Sequence, residues 1–151
     1  MAEAVIQRVA SAAVSVEGSE RGRIARGLLI LLGVGHDDGE EDAAWLAGKL
    51  ARLRIFPDDR GLMNRSVVDI DGGLLAISQF TLFASTAKGN RPAYLAAAPP
   101  AHAEPLYRRF VELLAQAAGR TVATGVFGAD MRVELVNDGP VTIVIDSRAR
   151  E

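Results

Sequence analysis

Alternating apolar and polar residues over the first third of the chain predict β-strands. The two-residue period runs through residues 4–10 and continues over 12–16, as in a strand with one buried face. A turn signal follows at residues 17–20, and two more strands are predicted at 23–26 and 28–34. Strands spaced this closely indicate an antiparallel meander.

Two later stretches have the period of an amphipathic helix. The first opens with acidic residues at 38–42, which suit the positive end of a helix dipole. Its apolar stripe consists of Leu46, Leu50 and Leu53. The second helix is expected to begin at Pro99-Pro100 and to end at Gly119, a favoured C-terminal cap. Its apolar face consists of Leu106, Phe110, Leu113, Leu114 and Ala117.

The remaining pattern predicts short strands. One is expected at residues 54–56 and another at 74–83, followed by an irregular segment at 84–98. Three more follow the second helix, at residues 121–124, 131–136 and 141–145. The predicted fold class is therefore α+β: a single domain over residues 1–151, with a largely antiparallel, curled, barrel-like sheet and two main helices packed on it.

Composition narrows the chemistry. The chain has 151 residues, of which 49% are hydrophobic and 24% charged, as is typical of a globular domain. Because it has no cysteine, disulfides, thiolate metal sites and cysteine nucleophiles are excluded. The only histidines are His36 and His102, so a multi-histidine metal site is not expected. The net charge of −2 argues against nucleic acid bound over many phosphates, and any contact must use a small local patch.

No membrane or targeting segment is expected. The longest apolar run, at residues 28–34, is far shorter than the roughly 20 residues that span a bilayer. The first residues also lack the basic and then apolar pattern of a signal peptide. We therefore expect a soluble, cytoplasmic protein that does not bind a membrane.

The usual catalytic patterns find little support. His36 lies beside Asp37, but adjacent residues rarely take the geometry of a Ser–His–Asp triad, so a solvated loop histidine is the simpler interpretation. Gly33 and Gly35 lack the third glycine of a phosphate-binding loop. The acids at 38–42 lack the regular spacing of a cation loop, which favours a solvated helix start. No metal and no cofactor are expected.

Two strings combine polar residues with predicted strands. The first is Ser78-Gln79-Phe80-Thr81-Leu82; in a strand, Ser78 and Phe80 would face one side and Gln79 and Thr81 the other. The second is Asn137-Asp138-Gly139-Pro140-Val141-Thr142. Taken alone, the first also fits a strand that leaves the core, and the second fits a hairpin turn.

Together with their surroundings, these strings resemble the D-aminoacyl-tRNA deacylase family. The matching strings follow one another in the family's order along nearly the whole chain. They are Val5-Ile6-Gln7-Arg8-Val9, Gly27-Leu28-Leu29, Leu31-Leu32-Gly33-Val34, Leu53-Arg54-Ile55-Phe56, Met63-Asn64, Ser78-Gln79-Phe80-Thr81-Leu82, Lys88-Gly89-Asn90-Arg91-Pro92, Ala97-Ala98-Pro99-Pro100, Gly125-Val126-Phe127-Gly128-Ala129-Asp130-Met131 and Asn137-Asp138-Gly139-Pro140-Val141-Thr142.

The resemblance implies an aminoacyl-tRNA editing hydrolase, a proofreading enzyme that works as a homodimer on the tRNA 3′ acceptor end. It would cleave the ester of D-aminoacyl-tRNA, and of glycine mischarged on tRNA(Ala), releasing the amino acid and free tRNA. Gly139-Pro140 would have a cis peptide bond and enter the partner's active site, where its main chain rejects L-amino acids. Arg8 would support this motif by a hydrogen bond to a carbonyl; the alternative is a surface arginine on an edge strand.

The resemblance also implies that Ser78, Gln79, Phe80 and Thr81 form the catalytic pocket. Thr81 is one candidate nucleophile, but an unactivated threonine needs a base. That need favours a route in which the neighbouring tRNA 2′-hydroxyl activates or orients the attacking water. Main-chain N–H groups around Phe80 and Thr81 would stabilise the oxyanion.

Four further residues complete the expected site. Phe127 and Met131 match positions that line the family's adenosine pocket, although both also fit a plain core. Lys88 and Arg91 are the expected contacts for tRNA phosphates. Two rival hypotheses stay open: a module that binds the tRNA end without hydrolysis, and a conventional acyl hydrolase that uses Thr81 or Ser78.

Overall fold

The computed structural model describes residues 2–151; Met1, the first residue of the predicted domain, lies outside them. The described chain forms strands, two long helices and one 3₁₀ turn. In chain order they are β1 (Glu3–Val16), β2 (Ser19–Ile24), β3 (Gly27–Gly33), α1 (Glu40–Arg52), β4 (Phe56–Pro57), β5 (Met63–Arg65), β6 (Gly73–Ser78), the 3₁₀ turn (Phe80–Phe83), α2 (Pro100–Ala118), β7 (Ala123–Thr124) and β8 (Arg132–Asp146).

The long strand β1 organises the main sheet. It pairs antiparallel with β3 through residues 3–9, with β2 through residues 12–16, and with β8 along both halves. The sheet order is β2-β1-β3-β6-β7, with β8 on β1. Because one strand has three partners, the sheet curls around it towards a barrel.

Two strand pairs are parallel, which makes the sheet mixed. β3 pairs with β6, and β6 with β7. A parallel pair needs a long crossover connection, and α1 and α2 lie in the two connections concerned. The predicted fold class of a curled sheet with two main helices is confirmed.

The core lies on both faces of the sheet. On one face, Ile6 and Ile30 pack with Leu46 and Leu50 of α1 and with Phe110 of α2, all fully buried. The other face holds a smaller cluster of Val9, Val14, Leu29, Leu75 and Ile77. Most of the predicted apolar stripes cover the sheet, since Leu46, Leu50, Leu106, Phe110 and Leu114 are buried. Two positions differ: Leu53 lies just beyond the end of α1, and Ala117 is exposed because Ala118 is the residue that faces the core. Neither helix within residues 2–151 is long and apolar enough to cross a membrane.

Two predicted strand boundaries are wrong at the two polar strings, residues 78–82 and 137–142. The strand expected at 74–83 ends at Ser78, and the chain continues into the 3₁₀ turn. The strands expected at 131–136 and 141–145 are one strand, β8, because the Asn137 side chain bridges the bend. Its Oδ1 accepts a hydrogen bond from Val141 N at 2.8 Å, and its Nδ2 donates to Val141 O at 3.2 Å. The hairpin interpretation of this string is therefore wrong.

Three short strands also differ from prediction. The strand expected at 23–26 is β2, which starts and ends earlier, and its polar sequence becomes a strand through pairing with β1. The strand expected at 121–124 shortens to β7, and the one at 54–56 shifts to β4, which pairs with the unpredicted β5. In each case pairing with another strand decides the boundary, and local periodicity does not record it.

The acidic helix start is not fully solvated, because the C-terminal tail covers it. Asp42 is buried and accepts hydrogen bonds from Gly39 N at 3.0 Å and from Ser147 Oγ at 2.8 Å. Its Oδ1 lies 3.4 Å from Arg148 Nε. Burial by itself would raise the pKa of Asp42, but these hydrogen bonds and the Arg148 charge hold the pKa below its usual value.

Candidate active site

A cleft of about 580 Å³ opens where β6 ends. Most of its walls come from the string after Ile77, the segment before α2, and the loop between β7 and β8, and Val34, Ala103 and Val133 also line it. The cleft brings together five of the residues predicted from the sequence, Ser78, Gln79, Phe80, Phe127 and Met131. Most of its lining is apolar, and Asp130 is the charged residue among the described residues that line it.

The chain turns sharply at the string Ser78-Gln79-Phe80-Thr81. Gln79 N donates to Leu32 O at 2.8 Å, which ends the parallel pairing of β6 with β3, and the 3₁₀ turn begins at the next residue. Gln79 Nε2 donates to Thr81 Oγ1 at 2.5 Å. The prediction that these residues continue the strand is therefore wrong, because the chain enters the 3₁₀ turn at Phe80. Gln79 and Thr81 still lie side by side, but the turn brings them together and strand alternation does not.

Both histidines contact main-chain oxygens and make no hydrogen bond to Thr81 among the described residues. His36 Nε2 lies 2.6 Å from Leu95 O, and His102 Nε2 lies 2.6 Å from Asp38 O. Within residues 2–151, the side-chain hydrogen bond of the Thr81 hydroxyl is to Gln79. An amide is not a general base, so this arrangement does not activate a threonine nucleophile.

An aromatic pair forms one rim of the cleft. Phe80 is 56% exposed and meets Tyr94 edge-on, with the ring centroids 5.0 Å apart. The segment that carries Tyr94 is anchored by a hydrogen bond from Ala98 N to Val34 O at 2.9 Å. Sequence reasoning missed Tyr94, because it lies in a stretch of 84–98 that has no periodicity.

The opposite wall is the loop that carries Phe127 and Met131. A Cβ added at Gly125 would lie 2.5 Å from the Met131 sulfur, so glycine at this position is what allows the methionine to pack closely. Gly128 has a φ of +75°, a left-handed conformation that favours glycine. Asp130 lies between Gly128 and Met131 in the chain and lines the cleft. Sequence reasoning also missed it as a cleft residue.

Gly139 and Pro140 stand out from β8 opposite Arg8. Between the paired residues Gln7–Thr142 and Val9–Asn137, β1 contributes only Arg8, whereas β8 contributes the four residues 138–141. These extra residues leave the ladder, and Gly139 and Pro140 are exposed. The Gly139–Pro140 peptide bond is cis. Neither residue lines the cleft of its own chain within the described residues.

Arg8 lies beneath this bulge. Its Nε donates to Asp138 O at 2.9 Å, and its Nη1 donates to Ile55 O at 2.7 Å. Arg8 is only 9% exposed and lies on the central strand β1. The alternative of a surface arginine on an edge strand is therefore wrong.

Lys88 and Arg91 lie apart from the cleft lining. Both are exposed, in the loop that Ser85 and Ala93 close by two main-chain hydrogen bonds of 2.8 and 2.9 Å. The same segment continues to Tyr94 at the cleft rim. This places the two cations on a closed loop that leads to the cleft.

A model of the D-Tyr-tRNA(Tyr) deacylase family matches residues 5–146. The chain belongs to this family. The D-aminoacyl-tRNA deacylase of Opitutus terrae is 63% identical over 148 residues, which cover 98% of this chain and 99% of that protein. The D-aminoacyl-tRNA deacylase of Chromobacterium violaceum is 56% identical over 147 residues, covering 97% and 98%. The family and the hydrolase class predicted for the chain are confirmed.

Solved structures agree with this D-Tyr-tRNA(Tyr) deacylase fold. The c-Myc DNA unwinding element binding protein superposes with a TM-score of 0.89 and 38% identity, covering 95% of this chain and 97% of that one. A probable eukaryotic D-amino acid tRNA deacylase superposes with a TM-score of 0.82 over 95% and 98% of the two chains. The second is 17% identical, so it supports the fold alone.

Proposed function

We propose that this protein hydrolyses the ester between a D-amino acid and the 3′ end of tRNA, and the corresponding ester of glycine on tRNA(Ala). The products are the free amino acid and free tRNA. The observation that carries the proposal is the cleft in which Ser78, Gln79 and Phe80 face Phe127 and Met131. Its volume falls within the range of about 300–1,000 Å³ that small-ligand sites occupy.

The two sides of the cleft suit the two parts of an aminoacyl-nucleoside. Phe127 and Met131 offer an aromatic ring and a polarisable sulfur, against which the terminal adenine packs. Across the cleft, the start of the 3₁₀ turn holds the ester. The first N–H groups of a helical turn have no partner within the turn, so those of Phe80 and Thr81 are free to stabilise the oxyanion.

The substrate itself supplies a hydroxyl group that takes part in its hydrolysis. A water oxygen attacks the ester carbonyl carbon, and the bond to the ribose 3′-oxygen breaks. One proton of the water goes to that oxygen and the other to solvent, so the amino acid leaves as a carboxylate. The adjacent 2′-hydroxyl orients or activates this water. Support comes from Thr81, whose hydroxyl accepts an amide hydrogen bond, and from the two histidines, which bind main-chain oxygens elsewhere.

Rejection of L-amino acids is assigned to Gly139 and Pro140 of a second copy. The bulge is exposed and does not line the cleft of its own chain, so it reaches a substrate only in a homodimer. Exposed valines on the same strand, Val136 at 57% and Val144 at 61%, provide apolar surface for such contact. In the partner's cleft the main chain would occupy the place of an L side chain and leave a D side chain free.

Lys88 and Arg91 are proposed to contact phosphates of the tRNA 3′ end. Their loop is closed and leads to the cleft rim. A contact of only two cations is consistent with the net charge of −2, because few phosphates are neutralised.

A second candidate function is binding of a nucleic acid end without hydrolysis. One observation favours it: a structure with 38% identity carries the name of a DNA unwinding element binding protein. The two functions differ in whether the ester is broken.

Release of D-[¹⁴C]tyrosine from D-Tyr-tRNA by the purified protein tests the proposal, with L-Tyr-tRNA as the matched substrate. We expect hydrolysis of the D ester and none of the L ester above the rate without protein. Binding of D-Tyr-tRNA without release would favour the second candidate. Equal hydrolysis of both esters would contradict the assigned rejection of L-amino acids.

A further inference from the structure

The Phe127 side chain is only partly buried, where it packs against the core. It lines the main cleft and also a second cleft of about 460 Å³, whose other walls include Tyr107, Val111 and Val126. Close packing normally fixes an aromatic side chain in place. Because Phe127 borders two clefts, its ring is less confined than a fully buried one, and an aromatic neighbour helps to keep it directed towards the main cleft.

Tyr107 is that neighbour. Its ring lies 6.1 Å from the Phe127 ring, centroid to centroid, at an interplanar angle of 45°. Tyr107 is 5% exposed, and its hydroxyl donates to Ala76 O at 2.8 Å. Burial raises the pKa of Tyr107 to about 12, so the hydroxyl stays protonated and remains a donor at neutral pH.

These contacts connect three elements. Tyr107 belongs to α2, Ala76 lies in β6 two residues before Ser78, and Phe127 belongs to the loop that forms the opposite wall. The Tyr107 ring is thereby held between the strand that leads into the string Ser78-Gln79-Phe80-Thr81 and the side chain on which the terminal base is expected to pack.

We propose that Tyr107 is a positioning residue, which acts through Phe127 to set the affinity for the terminal nucleoside of the substrate. This inference rests on the proposed function. Tyr107 itself lies outside the main cleft lining, so it does not touch the ester. Its loss should therefore change nucleoside binding and leave the chemical step unchanged.

The test compares the KM and kcat of Tyr107 variants on D-Tyr-tRNA. In Tyr107→Leu, the aromatic face is lost and the second cleft grows, so the Phe127 ring can turn away. We expect KM to rise about three- to tenfold, the amount an aromatic pair contributes to an equilibrium, with kcat within about twofold of wild type. Tyr107→Phe keeps the ring and should restore a near wild-type KM. Where Tyr107→Leu does not fold, Tyr107→Met, which keeps most of the buried volume, carries the same prediction.

Two controls separate positioning from general stability. Phe110→Leu removes a fully buried ring from the same helix and should lower the free energy of unfolding with no change in KM. A D-Tyr-tRNA whose terminal ribose lacks its base should give equal KM values for wild type and Tyr107→Leu. An unchanged KM in Tyr107→Leu, an equal rise in Phe110→Leu, or a rise that persists on the abasic substrate would overturn the inference.

Failure of the proposed function has a different signature. In that case the wild type releases no tyrosine, and the dissociation constant of a fluorescent CCA trinucleotide, measured by anisotropy, replaces KM. A three- to tenfold weaker complex in Tyr107→Leu, with wild-type affinity in Tyr107→Phe, would still support the positioning role. Equal affinities for all three proteins would overturn it.

Discussion

Substitution of Arg8 by lysine tests how the bulge at Gly139–Pro140 is held. The guanidinium donates to two carbonyls at once, Asp138 O at 2.9 Å and Ile55 O at 2.7 Å, and a lysine ammonium does not reproduce that planar fork. Hydrogen bonds from a charged donor contribute about 1.5–3 kcal/mol each. We expect Arg8→Lys to lose one such bond and to lower the free energy of unfolding by about that amount, measured by urea denaturation.

The same bond limits how firmly the bulge can oppose an L side chain. If the hydrogen bond from Arg8 to Asp138 O is lost, the free energy needed to displace residues 138–141 falls by at most the energy of that bond. Because about 1.4 kcal/mol corresponds to a factor of ten, the ratio of kcat/KM for D-Tyr-tRNA over L-Tyr-tRNA should fall about ten- to hundredfold. Single-turnover hydrolysis of the two esters measures this ratio.

Arg120→Lys is the matched control. Arg120 also joins a main-chain carbonyl, Gly72 O at 2.6 Å, and forms an ion pair with Asp71. It should lose comparable stability without any change in the D-over-L ratio. If Arg8→Lys is destabilised as expected and the ratio stays at the wild-type value, the bulge does not carry the rejection and the reasoning fails.

Three other predictions follow from the site and its surroundings. Thr81→Val should keep most of the hydrolytic rate, whereas a 2′-deoxy terminal ribose should abolish it; the opposite pattern would make Thr81 the nucleophile. Lys88→Ala and Arg91→Ala should each reduce by about one the slope of log binding constant against log salt, measured with tRNA, and unchanged slopes would exclude phosphate contacts. Asp42→Asn should cost about 1–3 kcal/mol of unfolding free energy at pH 7. Because the pKa of Asp42 is lowered on folding, this stabilisation is present above the unfolded pKa of about 3.9 and disappears as the pH falls towards the folded pKa. The unfolding free energies of wild type and Asp42→Asn should therefore converge in acid. A constant difference from pH 7 to 3 would contradict this prediction.

The periodic parts of the chain were the predictable parts. The stripe of Leu46 and Leu50 and the cap at Gly119, which has a φ of +69°, have the structure that the sequence indicates. These signals are local, because a helix buries residues that are three or four positions apart. The same holds for β3, whose apolar run lies within one residue of its predicted ends.

The failures occur where a long-range partner replaces a local rule. Asn137, Gly139 and Pro140 are strong turn formers, yet β8 continues because the Asn137 side chain bonds the main chain across the bulge and Arg8 supports it from β1. Asp42 has the sequence context of a solvated cap, and its burial depends on Ser147, more than a hundred positions away. No short window of sequence contains both Arg8 and Asp138, or both Asp42 and Ser147.

The site was predictable only to the extent that its residues lie in recognisable strings. Ser78, Gln79 and Phe80 stand out as polar and aromatic residues after an apolar strand, and the structure places them in the cleft. Phe127 has no such signal, because an aromatic residue between strands fits a core equally well, and its resemblance to family positions is what singled it out. Tyr94 has neither kind of signal, and Asp130 lies in a family string without standing out in it, so both are visible as cleft residues only once the chain is folded.

The anchoring of β8 supplies the stiffness that the proposed rejection of L-amino acids by the exposed bulge requires. Past the end of the strand, Ser147 N donates to Ala2 O at 2.9 Å, and Ser147 Oγ accepts from Ala2 N and donates to Asp42. In the middle, Arg8 supports the Asp138 carbonyl. A slip of β8 by one residue would turn its apolar face outwards and break these contacts at once. The position of Gly139 and Pro140 is therefore held at the bulge by Arg8 and beyond the end of β8 by the contacts of Ser147, both with residues far away in the chain. The proposed rejection of L-amino acids depends on this rigidity, because a steric clash discriminates between isomers only to the extent that the main chain resists displacement.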